Sequence, residues 1–286
     1  DSREVRIDGG KQGSYEFGLF YDRIPRSLWD TTATPYSGVG SGNLTLPSNW
    51  VDGGTTGAMT QLDSSLRNVD IGYDRDRYGA SARVWFLDNL KFDLDYRRDD
   101  RSGTRPQLAS FGSVTTQLVA PVDDATDRVD ATVRYQGKGW FAQAGYYGSF
   151  YNTKAASLRW DNPFNAMTPG GTVGQMALAP DNSYNEFGAS AGWYGLPFNS
   201  TVTLSLATGK GEQDTGFLPY TANALITTDP LPASSLDASL DTLRYDLTLT
   251  SQPIDRLRVR GTVAYDERDN GTRHRTFTSP VHTDLF

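Results

Sequence analysis

The sequence has 286 residues, 37% of them hydrophobic, with no Cys and only two His, His274 and His282. That composition excludes disulfides, thiolate metal sites, covalent haem attachment by its own residues and any His-rich ligating centre. A net charge of −7 leaves no nucleic-acid footprint, and no stretch approaches the roughly 18 consecutive apolar residues of a membrane helix.

Taken in chain order, the sequence is a series of period-two alternations, the spacing of β-strands with one apolar and one polar face. It opens on "DSREVRIDGG", already inside a strand carrying Val5 and Ile7, and is expected to be an internal piece of a longer protein. Tyr15, Phe17, Leu19 and Tyr21 follow on one face. Tyr78, Ala80, Ala82, Val84 and Phe86 oppose Ser81 and Arg83, and Phe92, Leu94 and Tyr96 oppose Asp93, Asp95 and Arg97. Val129, Ala131, Val133 and Tyr135 alternate with Asp130, Thr132 and Arg134, and Trp140, Ala142, Ala144 and Tyr146 come next. Phe187, Ala189, Ala191 and Trp193, then Val202, Leu204 and Leu206, carry the pattern on. Leu243, Tyr245, Leu247 and Leu249 oppose Arg244 and Asp246, and Leu257, Val259, Val263 and Tyr265 oppose Arg258, Arg260 and Asp266. About ten strands result, with almost no helical periodicity.

The connections alternate between short and long. Gly9–Gly13, Asp88–Asn89, Gly137–Gly139, Gly195–Asn199 and Gln252–Asp255 are Gly, Pro, Asn and Asp turns suited to hairpins. Residues 24–66, 100–126, 152–183 and 210–239 read as long loops. Compact soluble domains rarely repeat structureless loops of that length, whereas outer-membrane barrels pair tight periplasmic turns with long outer loops. Tyr78, Tyr96, Tyr135, Tyr146, Trp193 and Tyr265 near strand ends suit aromatic girdles. The expected fold is all-β: an antiparallel transmembrane β-barrel, an up-and-down meander forming one domain over 1–286 and part of a larger barrel. Tyr78, Ala82, Val84, Leu94, Val133, Leu204, Leu247 and Val259 would face lipid. Arg83, Asp93, Asp95, Arg97, Arg134, Arg244, Arg258 and Arg260 would face the lumen and a partner within it.

Several motifs carry no chemistry on this reading. "GASAG" (Gly188–Gly192) matches a nucleophile elbow, but Ser190 lies in an alternating strand with no helix after it. "GVGSG" (Gly38–Gly42) misses dinucleotide-binding spacing, since Asn43 stands where the third Gly belongs. Asp93 and Asp95 share one strand face and read as solvated charge. No catalytic, cofactor or metal residue is expected, and the chain is read as non-enzymatic.

One loop is distinctive. "YDRIPRSLWDTTATPYSGVGSGNLTLPSNW" (Tyr21–Trp50) resembles the signature loop of the MtrB/PioB family of decahaem-associated outer-membrane proteins. "RDRYGASA" (Arg75–Ala82), "FDLDYRRDDRSGT" (Phe92–Thr104), "PVDDATDRVDA" (Pro121–Ala131), "WDNPF" (Trp160–Phe164), "APDNSYNE" (Ala179–Glu186), "GFLPYT" (Gly216–Thr221) and "RDNGT" (Arg268–Thr272) are similar to family segments in the same order. Asp124 departs from the family pattern, which more often has an aromatic there, and family members are much longer. The resemblance implies a bacterial outer-membrane sheath that houses a periplasmic multihaem c-type cytochrome for extracellular electron transfer. A second multihaem cytochrome would sit at the outer loops. Haem c would belong to the partner, and the barrel would carry no cofactor of its own. Two other functions share the strand pattern: a solute porin, with the same architecture and an open lumen, and a secreted all-β binding module, soluble without detergent.

Overall fold

The computed structural model describes residues 2–111, 114–166 and 169–278. Its strands, in chain order, are β1 (Arg3–Lys11), β2 (Tyr15–Thr34), β3 (Asn43–Leu44), β4 (Arg67–Leu87), β5 (Leu90–Phe111), β6 (Val114–Gln136), β7 (Trp140–Thr153), β8 (Ser157–Asp161), β9 (Val173–Ala177), β10 (Asn182–Leu196), β11 (Ser200–Gln213), β12 (Ala238–Ile254) and β13 (Leu257–Asn270). Ten of them form one sheet in the order β1-β2-β4-β5-β6-β7-β10-β11-β12-β13, with every pairing antiparallel. This is the expected meander of about ten strands. Among the described residues the sheet is open: β1 pairs only with β2, and β13 only with β12.

Register keeps chemistry constant across the sheet. A row of directly opposed residues runs from Tyr15 through Val84, Phe92, Val133, Ala144, Ala189, Leu206 and Tyr245 to Tyr265. One residue along, the row is Glu16, Arg83, Asp93, Thr132, Gly145, Gly188, Ala207, Arg244 and Asp266. Because side chains alternate with period two, the first row lies on one face and the second on the other. Among the described residues no layer covers the apolar face: Phe187 and Val263 are 62% and 61% exposed, and Leu19, Leu204 and Leu247 are also open. A continuous apolar surface of this extent needs an apolar neighbour.

The short connections are tight for local reasons. Gly13 takes φ +72 between β1 and β2, and Gly139 takes φ +79 between β6 and β7. Both are left-handed conformations that a Cβ disfavours. The long connections depart from expectation. Residues 100–126 are strand on both limbs, with β5 reaching Phe111 and β6 starting at Val114. β2 likewise continues to Thr34. Asp99, Asp100 and Arg101 put charge on both faces of β5, which erases the apolar/polar alternation without ending the strand. Period-two reading sees a strand only where its two faces differ.

Two of the remaining long connections fold into a cap, while residues 214–237 of the third carry only an isolated bridge, Gly216 to Ser235. β3 pairs parallel with β8, and β8 pairs antiparallel with β9, joining residues 35–66 to residues 154–181. The cap has a dry core of Tyr36, Leu44, Leu158 and Trp160 packed on Ala109, Phe111, Leu118 and Ala120 of the β5–β6 hairpin. Phe111 and Trp160 meet edge to face at 6.0 Å. Leu46 N donates to Asp161 Oδ2 at 2.8 Å, and Trp50 Nε1 donates to the Pro163 carbonyl at 3.1 Å. Its core residues are spaced irregularly along the chain, so no period announces them.

Candidate functional site

The polar face of the large sheet is the candidate site. All eight residues expected to line it lie on that one face: Arg83, Asp93, Asp95 and Arg97 on β4 and β5, Arg134 on β6, Arg244 on β12, and Arg258 and Arg260 on β13. The eight expected apolar-face residues, from Tyr78 to Val259, lie on the other.

Much of the polar face neutralises itself. Arg83 reaches Asp93 at 2.6 Å and Glu16 at 2.8 Å, and Lys91 reaches Asp93 at 2.8 Å. Arg77 pairs with Asp22, and Arg75 with Asp99. Arg101 Nε donates to Asp124 at 2.7 Å, so the atypical Asp124 has a structural partner. Arg244 holds Asp266 at 3.0 Å, and Arg134 donates to Gln143 Oε1 at 2.9 Å. Arg258 and Arg260 make no ion pair among the described residues. Bidentate or shared Arg–carboxylate geometry of this kind is directional and fixes side chains that would otherwise roam. Sequence reading missed Glu16, Asp22, Arg75, Arg77, Asp99, Arg101, Arg128 and Asp130 as members of the site. Extending the same parity two residues at a time from Arg83 and Asp95 would have reached four of them, Arg75, Arg77, Asp99 and Arg101.

The face changes character along β5 and β6. It is charged as far as Arg105 on β5 and Asp124 on β6. Beyond them the same parity presents Ala109 and Phe111 on β5 and Leu118 and Ala120 on β6, where the cap sits. The cap therefore covers the polar face at the long-connection end of the hairpin.

The apolar face has its own boundary at that end. Tyr21 donates to Asp76 at 2.5 Å, Tyr78 to Asp100 at 3.0 Å and Tyr96 to Asp127 at 2.5 Å. Tyr146 donates to Asn185 at 2.7 Å, and Tyr265 to Glu267 at 2.8 Å. Each ring lies over the apolar band and each hydroxyl points to a polar side chain just past it, as expected where hydrocarbon meets headgroups. At the short-turn end, Tyr135 and Trp140 pack at 5.0 Å between ring centres.

Nothing here resembles a reaction centre. Among the described residues no group of three or more His, Cys, Asp or Glu could hold a metal ion. Ser190 sits mid-strand in β10, opposite Gln143 and Ser205.

A large antiparallel meander with one uncovered apolar face, an aromatic–acid boundary and a charged opposite face defines a porin-type outer-membrane protein. Residues 1–285 match the family described as "Putative outer membrane beta-barrel porin, MtrB/PioB", and the chain belongs to that family. It is 32% identical over 283 residues to "Outer membrane protein MtrB" of Shewanella baltica (strain OS185), covering 97% of this chain and 39% of that protein. The chain thus spans about two fifths of the relative it matches. Family membership places it in the outer membrane.

Proposed function

We propose that this sheet is one sector of a closed transmembrane barrel whose polar face lines the lumen and sheathes a periplasmic multihaem c-type cytochrome. Electrons hop between the partner's haems, and the barrel supplies no redox group. Its part is physical. The apolar face is solvated by lipid, and the charged face offers hydrogen bonds and counter-charges to a soluble protein that lipid would reject. A second multihaem cytochrome docks at the long-connection end. The observation that carries this reading is the polar row opposite the apolar one, charged at Glu16, Arg83, Asp93, Arg244 and Asp266 and small or hydroxylated at Thr132, Gly145, Gly188 and Ala207 between them, in a chain of the MtrB/PioB family.

An open solute channel is the alternative, and the family's description as a porin favours it. Proteoliposomes holding the full-length protein separate the two. An entrapped redox dye should be reduced by an external donor only when barrel and cytochrome are both present. Free passage of small solutes through the barrel, with no cytochrome retained, would establish the channel.

A further inference from the structure

On the polar face, two pairs of like charges stand directly opposite each other on neighbouring strands: Asp95 faces Asp130, and Arg97 faces Arg128. Opposed side chains in an antiparallel pair sit about 5 Å apart, and like charges there are unfavourable. Elsewhere on this face such pairs are compensated. Arg75 faces Arg101, but Arg75 holds Asp99 and Arg101 holds Asp124. Lys91 faces Arg134, but Lys91 holds Asp93 and Arg134 donates to Gln143. The tetrad has no such relief by hydrogen bond or close ion pair, only the through-space attraction of Arg128 for Asp130 along the same strand. Among the described residues Asp95, Asp130 and Arg128 make no hydrogen bond or ion pair, and Arg97 has only a long contact to Asp99 at 3.9 Å. Asp95, Asp130 and Arg128 are also solvent-exposed. A face that pairs nearly every other charge of β4–β6 leaves these four open, in a block two residues tall.

We infer that this tetrad is the docking point for the protein in the lumen. It fits a partner surface bearing a Lys or Arg against Asp95 and Asp130 and a carboxylate against Arg97 and Arg128. The two partner charges would be roughly 7 Å apart, the two-residue rise of the strand. The inference rests on the sheath reading and adds to it where the contact falls and what charge order it requires.

The test uses full-length protein isolated in outer membranes with its cytochrome. One variant carries Arg97→Glu and Arg128→Glu, and another Asp95→Lys and Asp130→Lys. A comparator, Lys154→Glu with Lys210→Glu, makes the same change in net charge as the first variant, away from the tetrad. Haem absorbance per barrel is measured after washing at rising salt, and heat-modifiable migration reports barrel folding. Both tetrad variants should lose haem at least tenfold more readily than wild type, and the comparator should match wild type. In the unreversed protein, a photo-crosslinking residue at position 128 should capture a haem-staining band. Haem retained equally by tetrad variants and wild type, or no capture from position 128 while wild type holds haem, overturns the docking point and leaves the sheath standing. A wild-type barrel that retains no haem at low salt overturns both.

Discussion

Tyr36 is the residue on which the cap turns. It is 1% exposed, and its hydroxyl donates to the Asp161 carbonyl at 3.0 Å beside Thr116 Oγ1. Tyr36→Phe leaves that carbonyl without this donor in a dry core and should cost the cap on the order of 1 kcal/mol. Burial raises the Tyr36 pKa above its ordinary value of 10. A raised folded value means the neutral phenol stabilises the cap fully below pH 10, and that contribution is lost as pH climbs toward the folded value. Wild-type cap structure, followed by near-ultraviolet circular dichroism, should therefore weaken above pH 10. The Tyr36→Phe protein should start weaker and lose this part of the alkaline dependence. A different pair of residues tests the two faces. Leu247 lies between Leu204 and Val263 on the apolar face, and its neighbour Thr248 lies between Thr203 and Thr262 on the polar one. In refolding from urea into lipid vesicles, Leu247→Arg should cost about 2–4 kcal/mol if it sits at mid-membrane depth. Thr248→Arg should cost far less, and equal costs would mean the faces are misassigned.

At the scale of elements, the cap and the membrane sheet are separable. Gly174 on β9 lies against the Trp160 ring, and a Cβ there would run into it. Gly174→Val should overpack the cap core by roughly 1–3 kcal/mol, since Trp160 is wedged between β9 and Phe111 and has little room to yield. Limited proteolysis should then cut within residues 154–181, while heat-modifiable migration of the full-length barrel stays unchanged. Loss of both together would mean that the cap is needed to form the sheet. The same contrast explains what the sequence disclosed. Strands such as Phe92–Tyr96 and Leu243–Leu249 were legible because one face is apolar and the other charged, and their parity also assigned all eight polar-face residues. The outer parts of β2 and β5 were not legible because polar side chains occupy both faces there, and that of β6 because Leu118, Val119, Ala120 and Val122 put apolar groups on both. The cap was invisible for another reason: Tyr36, Leu44, Leu158 and Trp160 come together only through pairing of distant short strands, a tertiary fact without local period. Nor could residue types alone separate self-paired Arg83 from unpaired Arg128, since cross-strand register decides it.

At the scale of the whole molecule, the decisive features are the two free edges. β1 offers the backbone of Arg3–Lys11 and β13 that of Leu257–Asn270, each, among the described residues, with a partner on one side only. β13 is exposed along its entire length, with Val259, Val263 and Tyr265 on its apolar face. In a bilayer, an unpaired strand edge leaves N–H and C=O groups facing hydrocarbon at several kcal/mol each, and two routes that relieve it are pairing with further strands and association with another copy. Closure of these ten strands on themselves is the third route, and it would require β1 to pair with β13. Refolding residues 1–286 alone in detergent distinguishes the routes. The expected product is a polydisperse set of oligomers, because Val5 and Ile7 on one edge and Val259 and Val263 on the other leave each piece with adhesive, largely uncharged apolar faces beside open hydrogen bonds. Cysteines placed in pairs across β1 and β13, at Ile7 and Val263, should crosslink between chains and not within one. A monodisperse, heat-modifiable monomer with an intrachain crosslink would show that the ten strands close by themselves, and that neither the remaining strands nor a second copy is needed to complete the wall.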